Sequence, residues 1–373
     1  MKDPRSMARI VIVGGGVIGT AVALAAVDRG HSVVQIEREQ EPRGASVRNF
    51  GLIWICGRDG GRELELALAS RSRWEALAAR NPAIGFRPVG CLLAARDNAE
   101  LAVIAAACNR DDARARGFRL LTPDEVVRFD SRLEGLAGGL HSPLDAVVEP
   151  AATLAALRQL AAASGRYAFL PGRTVVSVNG AAVDHLGGRH EADLFVVCPG
   201  DAVELVPAEA LERAGLRRRN LQMLETDRPD APLRIALADG DALRYYPAFD
   251  LPERAQLPAP EPIVEQLGVQ LLVAPRVDGG LTLGDSHVED RPGAFGSEED
   301  ADSHLLDSAR RLLGQTLRVR RRWTGSYLRR TDGRDCVLIE ETPAGALLVV
   351  AAGGMGMTAA PAIAAEALVV AGL

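Results

Sequence analysis

The apolar positions of this chain switch between two periods. Residues 10–19 read IVIVGGGVIG, a β-branched run closed by glycines, and Thr20-Ala-Val-Ala-Leu-Ala-Ala-Val follows with helical composition. That order predicts a buried parallel strand, a tight turn and a helix. His31-Ser-Val-Val-Gln-Ile predicts a second strand, and leucines and alanines at helical spacing predict a helix over 63–80. A strand over 86–94 and a helix over 101–117 come next. Thr122-Pro-Asp-Glu125 is a capping-box pattern that opens a short helix. Residues 141–150 read as a loop into a helix over 151–163. From Thr174 the alternation becomes VVSVNG, then Ala-Ala-Val, then a buried strand ending Val-Val-Cys-Pro-Gly200, a short meander plus one core strand. Strands are then predicted over 233–237, 243–246, 269–274 and 281–284, with a proline-rich link at 252–262. A helix over 298–313, strands over 318–323 and 346–351, and a last helix over 359–370 complete the pattern. This is α/β chemistry at the N-terminus and a strand-rich middle.

Composition narrows the class. With 373 residues the chain is long enough for two domains, and 47% hydrophobic with 25% charged residues suits a soluble globular protein. A net charge of -6 gives no support for nucleic acid or an anionic membrane as partner. No apolar stretch reads as a membrane span, and residues 1–9 carry no signal-like apolar core; Met7 is an alternative start. Cys56, Cys91, Cys108, Cys198 and Cys336 are odd in number and form no C-x-x-C pair, which argues for a reducing, cytoplasmic setting and against structural metal. The only lysine is Lys2, so neither a pyridoxal phosphate Schiff base nor a P-loop has its lysine.

The glycines carry the first chemistry. In Gly14-x-Gly16-x-x-Gly19, Gly14 permits the turn, Gly16 lets the backbone approach a pyrophosphate and Gly19 lets strand and helix pack closely. Val17 and Ile18 place free N–H groups at the helix start, where the dipole favours phosphate. Glu37 ends the second strand, with Arg38 beside it; an acid there accepts from ribose hydroxyls and disfavours a 2′-phosphate, leaving FAD or NAD. Gly353, Gly354 and Gly356 free a second backbone turn, and the helix from Thr358 points its positive end at whatever Met355 and Met357 touch.

Five blocks in order resemble the FAD-dependent D-amino-acid oxidase superfamily, which includes glycine and sarcosine oxidases. They are the opening glycine motif with Glu37, Gly44-Ala-Ser46, Val-Val-Cys-Pro-Gly200, Trp323-Thr-Gly325 and Gly353–Thr358. The resemblance implies a Rossmann-type FAD domain of the glutathione-reductase kind from 7–85, 145–215 and 321–373, with an antiparallel-sheet substrate domain from 86–144 and 216–320. It also implies that Ala45, Ser46 and Asn49 run past the flavin, that Val175 and Val176 flank the adenine, and that Gly200 belongs to the cofactor turn. Gly44-Ala-Ser-Val-Arg-Asn-Phe-Gly51 resembles a bacterial subgroup that oxidises 2-aminoethylphosphonate or its N-methyl derivatives.

Departures sharpen that expectation. The family's W-x-G-x-R block ends here in Tyr327, with Arg329 and Arg330 beyond it, which disfavours ordinary α-amino acids. No internal lysine is present to assist dioxygen, and Ser326-Tyr327 stand where a covalently linked cysteine is expected, so FAD is expected to be noncovalent. Arg48 is the candidate to balance reduced flavin or an anionic substrate, and His287 the candidate cation for dioxygen. Tyr245 or Tyr246 is expected to place a ring in the cavity by strand alternation, and Arg276 reads as structural. The expected reaction is oxidation of a small anionic amine, through an imine to an aldehyde, with O2 reduced to H2O2 by either a monomer or a homodimer. Two rivals remain: glycine or D-amino-acid turnover on the same fold, with quinone as a possible acceptor, and a flavin-binding subunit without turnover.

Overall fold

The computed structural model describes residues 7–289, 296–333, 335–350 and 352–373. Lys2 and the alternative start region before Met7, and Ala351 at the end of the 346–351 strand, lie outside them.

Two sheets organise the chain. The first has six strands in the order Leu338–Glu341, Ala346–Val350, Leu194–Val197, Arg9–Val13, Ser32–Ile36, Tyr167–Leu170. All neighbours pair in parallel except the first two, which are antiparallel. The strands are near-continuous Val/Ile/Leu runs because both faces are covered. Helix Val17–Asp28 packs on one face beside Gly356–Val370, and their apolar residues share one core cluster with Trp74. A meander of Val175–Val178, Ala182–Asp184 and Arg189–His190 hangs off this sheet.

The second sheet has nine strands. Its path is Val288–Glu289, Arg217–Thr226, Leu281–Gly284, Leu272–Pro275, Ala236–Ala238, Cys91–Ala95, Gly138–Ser142, Arg119–Leu121, and Val319–Arg329 pairs along the free side of Arg217–Thr226. It is antiparallel apart from the pairing of Ala236–Ala238 with Cys91–Ala95. Amphipathic helix Glu299–Leu313 covers one face, its Ala301, Leu305, Ala309 and Leu312 packing on Leu224, Val273 and Leu283.

Several expectations need correction. Residues 243–246 are not a strand: Ala242–Tyr245 is a helical turn, followed at Pro247–Phe249 by another. The Asp239 carboxylate accepts the Asp241 N–H at 3.1 Å and starts the turn, and a stretch of four residues is too short for its period to separate strand from helix. The helix expected over 101–117 is split into Asn98–Cys108 and Ala113–Arg116, and the loop at 141 hides the end of strand Gly138–Ser142. The long strand Arg217–Thr226 escaped notice because it opens Arg-Arg-Arg.

The last helix also amends the reading of hydropathy. Gly353–Val370 is apolar over 18 residues, long enough by composition to cross a membrane, yet 61% of it is buried inside the protein. It is a core helix with a proline inside. Pro361 has no N–H for the Met357 carbonyl, and the Trp74 indole N–H donates to that carbonyl instead at 3.1 Å. The next free donor, Ala362 N–H, is taken by Ser70 Oγ at 3.0 Å. The break in the ladder is thus satisfied from helix Arg62–Arg80.

Asp145 ties the two sheets' connecting segments together. Its Oδ1 accepts the N–H of Ile55 at 2.5 Å and of Cys56 at 3.2 Å, next to the two-stranded pairing of Leu52–Ile53 with Ala146–Val147. Complete burial pushes its carboxyl up to about 6.

Candidate active site

A cavity of about 750 Å³ opens at the carboxyl ends of the parallel strands and runs under the second sheet. Its floor is backbone. Gly14 ends strand Arg9–Val13 with φ +109°, and a Cβ there would lie 2.1 Å from the Cys198 carbonyl oxygen. A Cβ on Gly19 would lie 2.2 Å from the Gly14 carbonyl, so these positions are held to glycine by turn and packing. Glu37, at the end of Ser32–Ile36, accepts the Gly15 N–H at 2.6 Å and the Glu39 N–H at 3.0 Å. Ser46 Oγ accepts the Val17 N–H at 2.8 Å and so caps helix Val17–Asp28 from outside. Asn49 is a local brace: its side chain donates to the Ala45 carbonyl and accepts from Gly51 N–H.

The second glycine turn meets this floor from the far end of the chain. A Cβ at Gly356, the first residue of the last helix, would meet nothing within 4 Å, and the same holds at Gly44 and Gly200. Met355 and Met357 are buried with their edges on the cavity. Thr358 also touches it, but its hydroxyl is spent on the Trp54 N–H at 2.9 Å and the Leu52 carbonyl.

The remaining wall comes from the second sheet and the segment after Leu52. Trp54, Arg58, Arg219, Tyr245, Tyr246, Asp285, His287, Tyr327 and Arg329 all line it. Tyr245 and Tyr246 both reach the cavity, their rings edge-on at 5.0 Å, because the helical turn rather than a strand carries them. Arg58 lies 5.9 Å over the Tyr246 ring and pairs with Glu63 at 2.9 Å. Burial pushes the Tyr246 and Tyr327 hydroxyls well above the ordinary phenol value, so both are neutral donors. Arg219 Nη1 donates to the Tyr245 hydroxyl at 3.0 Å.

Charge is uneven along this wall. Arg329 and Arg219 both pair with Glu289, and Arg330 is held by Asp332 and the Val337 carbonyl. Arg38 pairs with Asp201 and Glu204, and Arg276 with Glu149. Arg48 donates to the Thr324 carbonyl at 2.9 Å, and among the described residues no carboxylate pairs with it. Gly325 lies beside it; a Cβ there would sit 3.3 Å from Arg48 Cβ. Trp54 is 2% exposed and its indole N–H has no partner among the described residues.

One candidate is placed away from the cavity, and another reaches it with both ring nitrogens engaged. Val176 is 59% exposed and does not line the cavity; alternation along Val175–Val178 turns it outward while Val175 turns in. His287 lines the cavity, but Nδ1 donates to the Gly268 carbonyl at 3.0 Å, Nε2 faces Asp285 at 3.3 Å, and the ring stacks on Tyr245 at 4.1 Å. Both ring nitrogens are engaged, and the ring holds a wall in place. Sequence reasoning missed Trp54, Arg58, Arg219 and Asp285 as cavity residues, because only long-range pairing brings them together. No cluster of three or more His, Cys, Asp or Glu among the described residues is arranged for a metal.

A glycine-floored cleft at the carboxyl ends of parallel strands, with two helix N-termini at one cavity, is the architecture of a dinucleotide-cofactor enzyme, and here the second sheet lines the same cavity. The chain belongs to the family described as FAD dependent oxidoreductase (DAO), which matches residues 9–368. It is therefore an FAD-dependent oxidoreductase. A search of curated protein sequences finds no match. Among solved structures the fold is similar to glycine oxidase from Bacillus cereus ATCC 14579, with 18% identity, a TM-score of 0.78 and 98% of this chain and 95% of that one covered. It is also similar to iminodiacetate oxidase from Chelativorans sp. BNC1, with 18% identity, a TM-score of 0.75 and coverage of 97% and 95%. L-proline dehydrogenase from P. horikoshii aligns at 16% identity and a TM-score of 0.77, covering 98% and 94%.

Proposed function

We propose that this enzyme oxidises a small amine bearing an anionic group, with 2-aminoethylphosphonate or its N-methyl form as the best fit. The observation that carries the reading is the set of guanidiniums on the cavity wall: Arg58, Arg219 and Arg329 line it paired with Glu63 or Glu289, and Arg48 lines it without a counter-carboxylate among the described residues. Tyr327 in place of the family's arginine removes the usual grip on an α-carboxylate. The similarity to oxidases of glycine and of iminodiacetate supports an amine as the reacting group.

The residues present fit FAD bound without a covalent link. Gly14, Gly16, Val17, Ile18 and Gly19 would hold its pyrophosphate, Glu37 and Arg38 the ribose end, and Val175 and Gly200 the adenine side. Glu37 keeps lone pairs for hydroxyl donors beside the two backbone N–H groups it already accepts. The open backbone at Gly353, Gly354 and Gly356, with Met355 and Met357, would take the ring, near Ala45, Ser46 and Asn49. FAD bound there would supply the two-electron acceptor for oxidation of the carbon beside the amine nitrogen; water would hydrolyse the resulting imine to an aldehyde and ammonia, or methylamine from an N-methyl substrate, and O2 would take up the two electrons to give H2O2.

The protein's own contributions are electrostatic and steric. The N-terminus of helix Gly356–Val370 and the Arg48 guanidinium place positive potential where negative charge grows. Trp54 and Tyr246 exclude water, which favours the neutral, reactive amine over ammonium. Neutral Tyr327 and Tyr245 orient polar atoms of the substrate. The missing internal lysine favours a second reading, a dehydrogenase that passes electrons to a quinone. Anaerobic flavin bleaching by a panel of aminophosphonates, glycine, sarcosine and D-alanine tests the first reading, and peroxide under air separates the two. Aminophosphonates should bleach fastest. Faster bleaching by glycine or D-alanine would refute the substrate class.

A further inference from the structure

Three residues stand in one row across neighbouring strands of the second sheet. Glu289 is paired opposite Arg219, and Arg219 is paired on its other side opposite Tyr327. Directly opposed residues share a face of the sheet, and Arg329, two residues beyond Tyr327, shares it too. Glu289 Oε1 is 2.6 Å from Arg219 Nη2 and 2.7 Å from Arg329 Nε. One carboxylate oxygen therefore bridges two guanidinium groups. Both arginines line the cavity, whereas Glu289 is exposed at the end of its strand and does not.

The row is anchored to the reacting end. The Tyr327 hydroxyl lies 3.3 Å from the position of a Cβ on Gly354, and Arg329 Cβ lies 3.9 Å from one on Gly353. Arg219 is held toward the same place by its bond to the Tyr245 hydroxyl, and Tyr245 is fixed by stacking on His287. Two fork-shaped donor groups, converging on one oxygen and reachable from the cavity, are the geometry that grips a phosphonate or carboxylate.

We infer that Arg219 and Arg329 form the seat for the substrate's anionic group, and that Glu289 is a built-in competing anion that sets the strength of that seat. This rests on the anionic-amine reading above. Glu289 holds both guanidiniums in position without substrate, and it lowers their pull on any second anion. An uncharged substrate gains nothing from the pair, so the seat selects for charge.

The test uses the FAD-loaded enzyme and methylphosphonate, an anion with no amine to oxidise. Binding is read from the flavin absorbance shift and from the melting temperature, in wild type, Glu289→Gln, Arg219→Met and Arg329→Met. Glu289→Gln should bind methylphosphonate about tenfold more tightly than wild type, as expected for removal of a partly exposed like charge. Arg219→Met and Arg329→Met should each weaken it about tenfold or more. The neutral diester dimethyl methylphosphonate should show no gain in Glu289→Gln. Unchanged or weaker methylphosphonate binding in Glu289→Gln, or an equal gain for the neutral diester, would overturn the inference. These binding results are independent of turnover: if no amine bleaches the wild-type flavin, the amine reading falls while the anion seat is still judged by methylphosphonate.

Discussion

The two sides of the cavity are built by different means. The glycine side is backbone: glycines, two helix starts and the ends of parallel strands, all set by short segments of sequence. The opposite wall is side chains, drawn from residues 54, 58, 219, 245–246, 285, 287 and 327–329 and joined by cross-strand pairs and aromatic contacts. A backbone site tolerates little change at its glycines and demands little of its neighbours. A side-chain site can be rebuilt one residue at a time while the fold stays the same.

The largest effect should come from the backbone side. Gly14→Ala drives a Cβ into the Cys198 carbonyl and forces an alanine to φ +109°, so the purified protein should retain little or no FAD and lose cooperative unfolding. Gly356→Ala is the contrast, since a Cβ there meets open space. Its apoprotein should melt as wild type does while FAD affinity falls, measured by titrating FAD into apoprotein. If both variants behave alike, glycine at these positions is not doing the two different jobs described.

On the side-chain side, Arg48→Met removes the cavity cation that has no counter-carboxylate among the described residues. The anaerobic flavin reduction rate should drop by about one to two orders of magnitude, the scale of one charged hydrogen bond or its field, with a smaller change in KM. A change in KM alone would move Arg48 from charge stabilisation to simple binding.

The joint between the two sides should respond to pH. Asp145 has its carboxyl raised to about 6 by burial, above its unfolded value, so the folded state holds the extra proton. Its contribution to stability is therefore present at low pH and is lost as pH rises through about 4 to 6, worth roughly 3 kcal/mol across that window. Asp145→Asn keeps an oxygen to accept the Ile55 and Cys56 N–H groups and removes the titration. Denaturant midpoints from pH 4 to 7 should fall in wild type and flatten in the variant.

The smallest effect concerns the meander. Val176→Asp should change stability and FAD affinity by less than about 0.5 kcal/mol, whereas Val175→Asp places a carboxylate in the core and should cost several. Equal effects would contradict the alternation assigned to this strand.

That pair also shows where sequence reading succeeds and stops. Gly14, Gly19, Glu37 and the Gly353–Thr358 turn were legible because each acts through its own local backbone and a fixed spacing. The strand Arg217–Thr226 was not, since its opening arginines look like a solvated charge run until Glu289 and Tyr245 meet Arg219. The turn at Tyr245 was not legible because so short a stretch carries no period that separates a strand from a helical turn. Trp54 and Arg58 sit within eleven residues of Arg48 in sequence, yet only Tyr246, nearly two hundred residues on, makes them a wall.

The central claim is that this wall selects an anionic amine for oxidation by FAD. Its most direct test is the anaerobic rate of flavin reduction by 2-aminoethylphosphonate against propylamine, an amine of similar length with no anionic group, at equal concentration. The account predicts bleaching by the aminophosphonate at least about tenfold faster, as one well-placed charge contact would give. Equal rates, or faster reduction by propylamine, would contradict it.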